Sequence, residues 1–294
     1  VPRSTRQRDD GGSGRTVAET ARDHLRAIAG GLLVGLPLLW TMEVWEDGAV
    51  LGPLKLLVLL GIGFAVVVGF NAFAGFRAER SWAALLIDSV QAMGLSVVVA
   101  ATALFVLGRL DPAVGLPTLV GTIAIESIPV AFGASLASTV MAESDDEDGG
   151  PQRTPVGPLG RLLVAGAGAL YFALNIAPTD EVRLLAAQAT APGVLLALVA
   201  GLAVGLAIVF HAEFRGGRVH QPGDSPLDHP LGESVAAYAL GLLVSLVLLW
   251  AFGSTDGADL RIVVSQVVLL GLVASFGAAG ARLIIGPGGE PEAA

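Results

Sequence analysis

Uncharged stretches long enough to cross a bilayer recur along this chain, and they restrict its fold more than any other feature. Examples are 56–76, 89–108, 184–210, 234–255 and 262–281. A helix needs about 20 mostly apolar residues to cross roughly 30 Å of hydrocarbon. Inside that layer each backbone polar group must find its partner within the protein, which leaves helices or closed barrels. The runs are continuous rather than alternating, so barrel strands are not expected. Charged residues make up 15% of the chain, against about 25% in soluble domains. The reading is an all-α polytopic membrane protein in a lipid bilayer. Eight spans are expected, near 26–45, 53–75, 83–108, 116–142, 160–178, 183–211, 232–253 and 261–285.

The two halves of the chain read as copies. At an offset of 138, Thr41 and Glu43 fall on Thr179 and Glu181, and Phe76, Arg77 and Arg80 fall on Phe214, Arg215 and Arg218. At 145, Asp88, Gly108 and Asp111 fall on Glu233, Gly253 and Asp256, and at 144 Phe132-Gly133-Ala134 falls on Phe276-Gly277-Ala278. The expected organisation is a flexible cytoplasmic tail (1–25), becoming helical from about Thr16, and a first four-span repeat (26–142). An acidic linker (143–158), a second repeat (159–286) and a short tail (287–294) follow. Each repeat holds an even number of spans, so both enter the membrane from the same side and form a parallel pair.

Orientation follows from the basic residues. With the N-terminus inside, the cytoplasmic segments carry the arginines of the tail plus Arg77, Arg80, Arg153, Arg161, Arg215, Arg218 and Arg282. The opposite face keeps Lys55, Arg109, Arg183 and Arg261. By the positive-inside rule both termini are cytoplasmic, and a bacterial inner (plasma) membrane is the expected location. The net charge of −9 does not mark a surface for basic partners, because the linker alone holds Glu143, Asp145, Asp146, Glu147 and Asp148.

Glu126 carries most weight among the ionisable residues. It stands near the middle of an otherwise uncharged span, where a carboxyl is costly and is a functional hypothesis by default. Ser127 follows it, Thr122 lies one turn away, and Pro129 cannot donate its backbone bond. Together they suggest a cation or proton site, whereas the plainer account is a protonated Glu bonded to a neighbouring helix. The other half has Leu270 at the matching place, with Gln266 nearby. Glu43, Asp180 and Glu181 form paired acidic ends, with Asn175 and Pro178 just before the second. They would concentrate cations at a pore mouth, or simply end helices at the outer surface. Asp88 with Arg77 and Arg80, and Glu233 with Arg215 and Arg218, are expected to form structural ion pairs at the inner ends.

Other chemistry has little footing. There is no cysteine, and the histidines near 211–229 fit no metal spacing. Phosphate-loop, nucleophile-elbow, dinucleotide and metalloprotease motifs are missing. Basic residues are scattered rather than massed, so nucleic acid is not an expected partner. Neither an enzyme nor a cofactor nor a metal is expected. The leading expectation is an ion channel or carrier; the alternative is a non-transporting membrane subunit or scaffold.

Taken in order, LPLLWTMEVW from Leu36, GFRAER, IPVAFGASLA, LNIAPTDE and SFGAAGARLI resemble an uncharacterised bacterial family of integral membrane proteins, a domain of unknown function. The resemblance covers roughly residues 25–286. It implies a membrane protein with no assigned activity, and it implies a small single-span membrane protein as partner. A homo-oligomer is a further assembly that the reading allows.

Overall fold

The computed structural model describes residues 17–73, 81–142, 158–215 and 230–285. The acidic linker up to residue 157, the GFRAER turn, most of the histidine-bearing loop, residues 1–16 and the C-terminal tail lie outside the described residues, whereas residues 17–25 of the expected flexible tail are helical. All regular structure described is helical. The first half contains α1 (Val17–Leu39), α2 (Met42–Val50), α3 (Pro53–Phe73), α4 (Trp82–Val106) and α5 (Leu116–Ala142). The second contains α6 (Pro158–Leu174), α7 (Asp180–Gln188), α8 (Ala191–Arg215), α9 (Pro230–Ala251) and α10 (Leu260–Ile285). A single 3₁₀ turn, Pro112–Val114, precedes α5.

Among the described residues, six helices are long and apolar enough to span a membrane, and a seventh is obtained if α1 and α2 count as one broken span. The expected first span is therefore not one rod. It breaks at Trp40–Thr41, where α1 and α2 meet at 85°. Pro37, in the last turn of α1, offers no backbone N–H, and the Thr41 N–H turns back to the Leu38 carbonyl at 2.8 Å. The Trp45 indole then donates to the Leu39 carbonyl at 3.0 Å and fixes the bend. The expected fifth span is also shortened. Its helix α6 has 17 residues, the chain leaves helical geometry ahead of Pro178, and α7 starts at Asp180.

Within each half the last helix lies at the centre. Most of α5 is buried, while few residues of α8 are, as expected of a helix with one side turned toward lipid. The central helices are crossed closely by α1 and α6 because both partners carry glycine at the contact. A β-carbon on Gly133 would lie 2.5 Å from the Gly30 carbonyl oxygen, and one on Gly30 would lie 2.8 Å from that of Gly133. Gly168 and Gly277 meet in the same way in the second half. These four glycines stand at the offsets of 138 and 144 seen in the sequence.

The fourth helix of each half also ends alike. Gly108 and Gly253 have φ of +68° and +73°, a conformation that glycine adopts without a side-chain clash. The amides that follow, at Arg109 and Ser254, donate to the carbonyls of Leu104 and Leu249 at 2.8 Å each. This satisfies carbonyls that a helix end would otherwise leave open. The halves meet along α3, α5 and α6. There Phe132 stacks on Tyr171 and meets Phe70 edge-on, and the Tyr171 hydroxyl donates to the Val34 carbonyl at 3.1 Å.

Candidate functional site

Four-residue steps keep Thr122, Glu126 and Val130 on one stripe of α5. Near the N-terminal end of the stripe, Thr122 meets α2. Its hydroxyl makes a long bond, 3.4 Å, to the Trp45 carbonyl, and a β-carbon on Gly48 would strike the Thr122 backbone. At the other end Val130 packs on α1 against Gly31 and Gly35. Glu126 lies between these contacts, so it faces the bend between α1 and α2. Its residue exposure is 0%, and neither carboxylate oxygen has a hydrogen-bond partner.

The helix that follows the bend has no side-chain cap, and of its first-turn amides that of Val44 donates to the Thr41 carbonyl at 3.2 Å. Thr41 occupies the N-cap position of α2 but makes no side-chain cap. Its hydroxyl instead donates to the Pro37 carbonyl at 2.7 Å. The first turn of a helix presents backbone N–H groups without intrahelical acceptors, and they form the positive end of its dipole. By its register on α5, between Thr122 against α2 and Val130 against α1, Glu126 lies on the stripe turned to the two helices that meet at this bend.

Ser127 is buried beside Glu126 in sequence, but its hydroxyl is spent inside α5 on the Ala124 carbonyl, at 2.7 Å. Asn175 sits where α6 ends, and its amide donates to the Tyr171 carbonyl at 2.7 Å. At the place matching Glu126, the second half has Leu270, buried to 1% exposure.

The carboxylates that the sequence places at the ends of the first and fifth spans are brought together by α2 and α7. Asp47 stands within electrostatic reach of Arg183 and Asp180 on α7, and of Glu46 and Glu43 on its own helix. Arg183 lies 3.7 Å from Asp180; both are exposed, and such pairs contribute little. Glu181 is held below the usual carboxylate range, chiefly by the Thr179 hydroxyl and then by its own backbone N–H. That hydroxyl has a single proton to divide between Glu181 and the Ile176 carbonyl at 2.9 Å. A cleft of about 510 Å³ opens beside this group, with Asp47, Lys55, Trp250 and Asp256 in its wall. Lys55 binds Asp256 at 2.8 Å and lies over the Trp250 ring.

At the start of α9, Glu233 is buried and accepts from Arg161 of α6 at 2.7 Å. The sequence reading had named Arg215 and Arg218 as its partners. Arg218, like Arg77 and Arg80, lies outside the described residues, and only the backbone of Arg215 is described. Arg161 was missed because it is remote in sequence, although a lone arginine opening an apolar helix was visible. Asp47 and the α1–α2 bend were missed as well. Pro37 together with Thr41 was the available signal for the bend.

A family model for integral membrane proteins, DUF2391, matches residues 23–285. No curated protein and no solved structure matches the chain.

Proposed function

Because the chain belongs to the DUF2391 family of integral membrane proteins, we propose that it passes a small cation, the proton included, across its membrane as a channel or carrier. One observation carries this reading: a fully buried carboxyl group, bonded to nothing, faces a broken helix. Unpaired acids at such depth are costly and mark ion or proton routes, and broken helices supply ion sites in many transporters. The route begins at the outer carboxylates Glu43, Asp47, Asp180 and Glu181, where fixed negative charge raises the local cation concentration. It continues past Thr122 to Glu126.

The scaffold in this reading is two like-oriented repeats of four spans, with both termini on the cytoplasmic side of a bacterial inner membrane. Matching element order, matching glycine crossings and matching glycine caps support the duplication. The short apolar helix α6 serves as the eighth span.

The test is ion movement into proteoliposomes carrying the full chain. Wild-type protein moves ions, and Glu126→Gln, eluting as the same folded species, does not. Equal movement by both removes Glu126 from the mechanism. If folded wild-type protein moves no ion and co-purifies in fixed ratio with a small membrane protein, the chain is instead a non-transporting subunit.

A further inference from the structure

We propose that the species handled at Glu126 is a proton rather than a metal cation, and that the uncapped first turn of α2 holds the carboxylate after the proton leaves. This deepens the conduction reading above and rests on it.

A dehydrated metal cation needs a shell of oxygens. Calcium takes about six to eight, and potassium filters replace the whole hydration shell with carbonyls. The carbonyl oxygens around the bend each already accept one hydrogen bond, which leaves each a single lone pair for a metal. The Leu36 carbonyl accepts from the Trp40 N–H, the Pro37 carbonyl from the Thr41 hydroxyl, and the Leu38 carbonyl from the Thr41 N–H. The Leu39 carbonyl accepts from the Trp45 indole, and the Trp45 carbonyl from Thr122. Ser127 is turned to Ala124. Beyond its own carboxyl, Glu126 has little to offer a metal. The large outer cleft does not bring hydrated ions to it either, since no residue of α5 lines that cleft.

A proton needs one oxygen. A hydronium ion gives its proton to the carboxylate and leaves as water; on the far side the carboxylic acid gives the proton to another water. The charged form is the expensive one in a dry site. Backbone N–H groups at a helix N-terminus stabilise an anion, and α2 presents such a turn with no side-chain cap. The charges on the helices packed around α5 act on this balance. By sign, Glu43, Glu46 and Asp47 on α2 and Asp111 before α5 oppose the anion, while Lys55 at the start of α3 and Arg109, which lies over the Trp45 ring, favour it. Asp88 stands in the second turn of α4, and the charges of α1 in its first half.

The experiment uses full-length protein in vesicles enclosing a pH-sensitive dye, with a potassium gradient and valinomycin setting the voltage. Sodium and potassium movements are followed separately as tracers. The expected result is voltage-driven proton uptake that is unchanged when sodium is replaced by choline. It falls to the protein-free rate in Glu126→Gln and is partly retained in Glu126→Asp. Thr41→Asp supplies a cap to α2 and adds negative charge, so the anion is harder to form and the pH for half-maximal flux rises. Tracer sodium or potassium entry that depends on Glu126 overturns the proton assignment and leaves the route standing. No movement of any ion by folded protein overturns both. An unshifted pH profile in Thr41→Asp overturns the part given to α2.

Discussion

The two halves cross their first and last helices through equivalent glycines and close their fourth helices with equivalent glycine caps, yet they differ in what faces the broken first helix. In the first half it is Glu126, across from an uncapped turn. In the second it is Leu270, beside a break whose following helix α7 likewise has no side-chain cap, the Thr179 hydroxyl bonding the Ile176 carbonyl as Thr41 bonds that of Pro37. The same scaffold therefore accepts an apolar side chain at this place. Packing does not require a carboxyl there, and a buried polar group without a partner costs about 1–3 kcal/mol, more if charged. The cost in one half and its avoidance in the other separate what the fold needs from what the site is for.

The largest effect on that comparison is expected where α6 and α9 begin, at the Arg161–Glu233 pair. Arg161→Met leaves Glu233 buried beside a lost cation, and breaking such a pair costs about 3–5 kcal/mol. The midpoint of thermal unfolding in detergent should fall accordingly. Asp88→Asn provides the matching measurement in the first half. A similar fall there means that both halves are pinned by charge, and no fall means that only the second is.

The glycine crossings come next. Gly133→Ala and Gly168→Ala each push a β-carbon into a partner helix, and overpacking of this kind costs about 1–3 kcal/mol. Gly61→Ala and Gly94→Ala meet open space and should cost nothing comparable. A loss in one half alone would break the equivalence of the crossings, which is the firmest structural support for duplication.

Much of this was legible in the sequence. Hydropathy alone gave the all-helical membrane class, because backbone satisfaction in lipid leaves so few choices. The offsets that align Gly133 with Gly277 and Gly108 with Gly253 marked positions that the structure uses for close approach and capping. Glu126 stood out as one charge in a long neutral run. The kink was less legible. LPLLWTMEVW is apolar through Leu39, and hydropathy averages across the break that Pro37 and Thr41 create. The Arg161–Glu233 bond joins residues remote in sequence, and only packing brings them together. The environment of Asp47 likewise depends on α7, a separate short helix whose residues from 183 onward hydropathy merges into the next span, which in the structure starts only at Ala191.

A gain in stability is the third expectation. Glu126→Leu makes the first half resemble the second and removes an acceptor that the folded protein leaves unbonded. The relief should be about 1–3 kcal/mol and should raise the unfolding midpoint while abolishing flux. Functional groups held at a cost to stability behave in this way. A lowered midpoint would mean that Glu126 is holding the bend together, and the two halves would then differ in structure rather than in function.

The smallest effect concerns acid stability, and it separates the two N-cap threonines. Folding lowers the Glu181 titration from its ordinary value of 4.5, first through Thr179. The native state then binds its proton less readily than the unfolded chain. The resulting stability is fully present above pH 4.5 and is lost as pH falls through the folded value. Thr179→Ala should therefore flatten the acid limb of the stability curve and move the Glu181 carboxyl resonance to titrate at higher pH. The Thr41 hydroxyl is committed to the Pro37 carbonyl, so Thr41→Ala should leave the acid limb where it was. Its own effect should fall on the α1–α2 bend, where the hydroxyl now holds the chain against the last turn of α1. Equal acid limbs in the two variants would mean that both threonines serve their helices alike, and the contrast at the bend would rest on Glu126 and Leu270 alone.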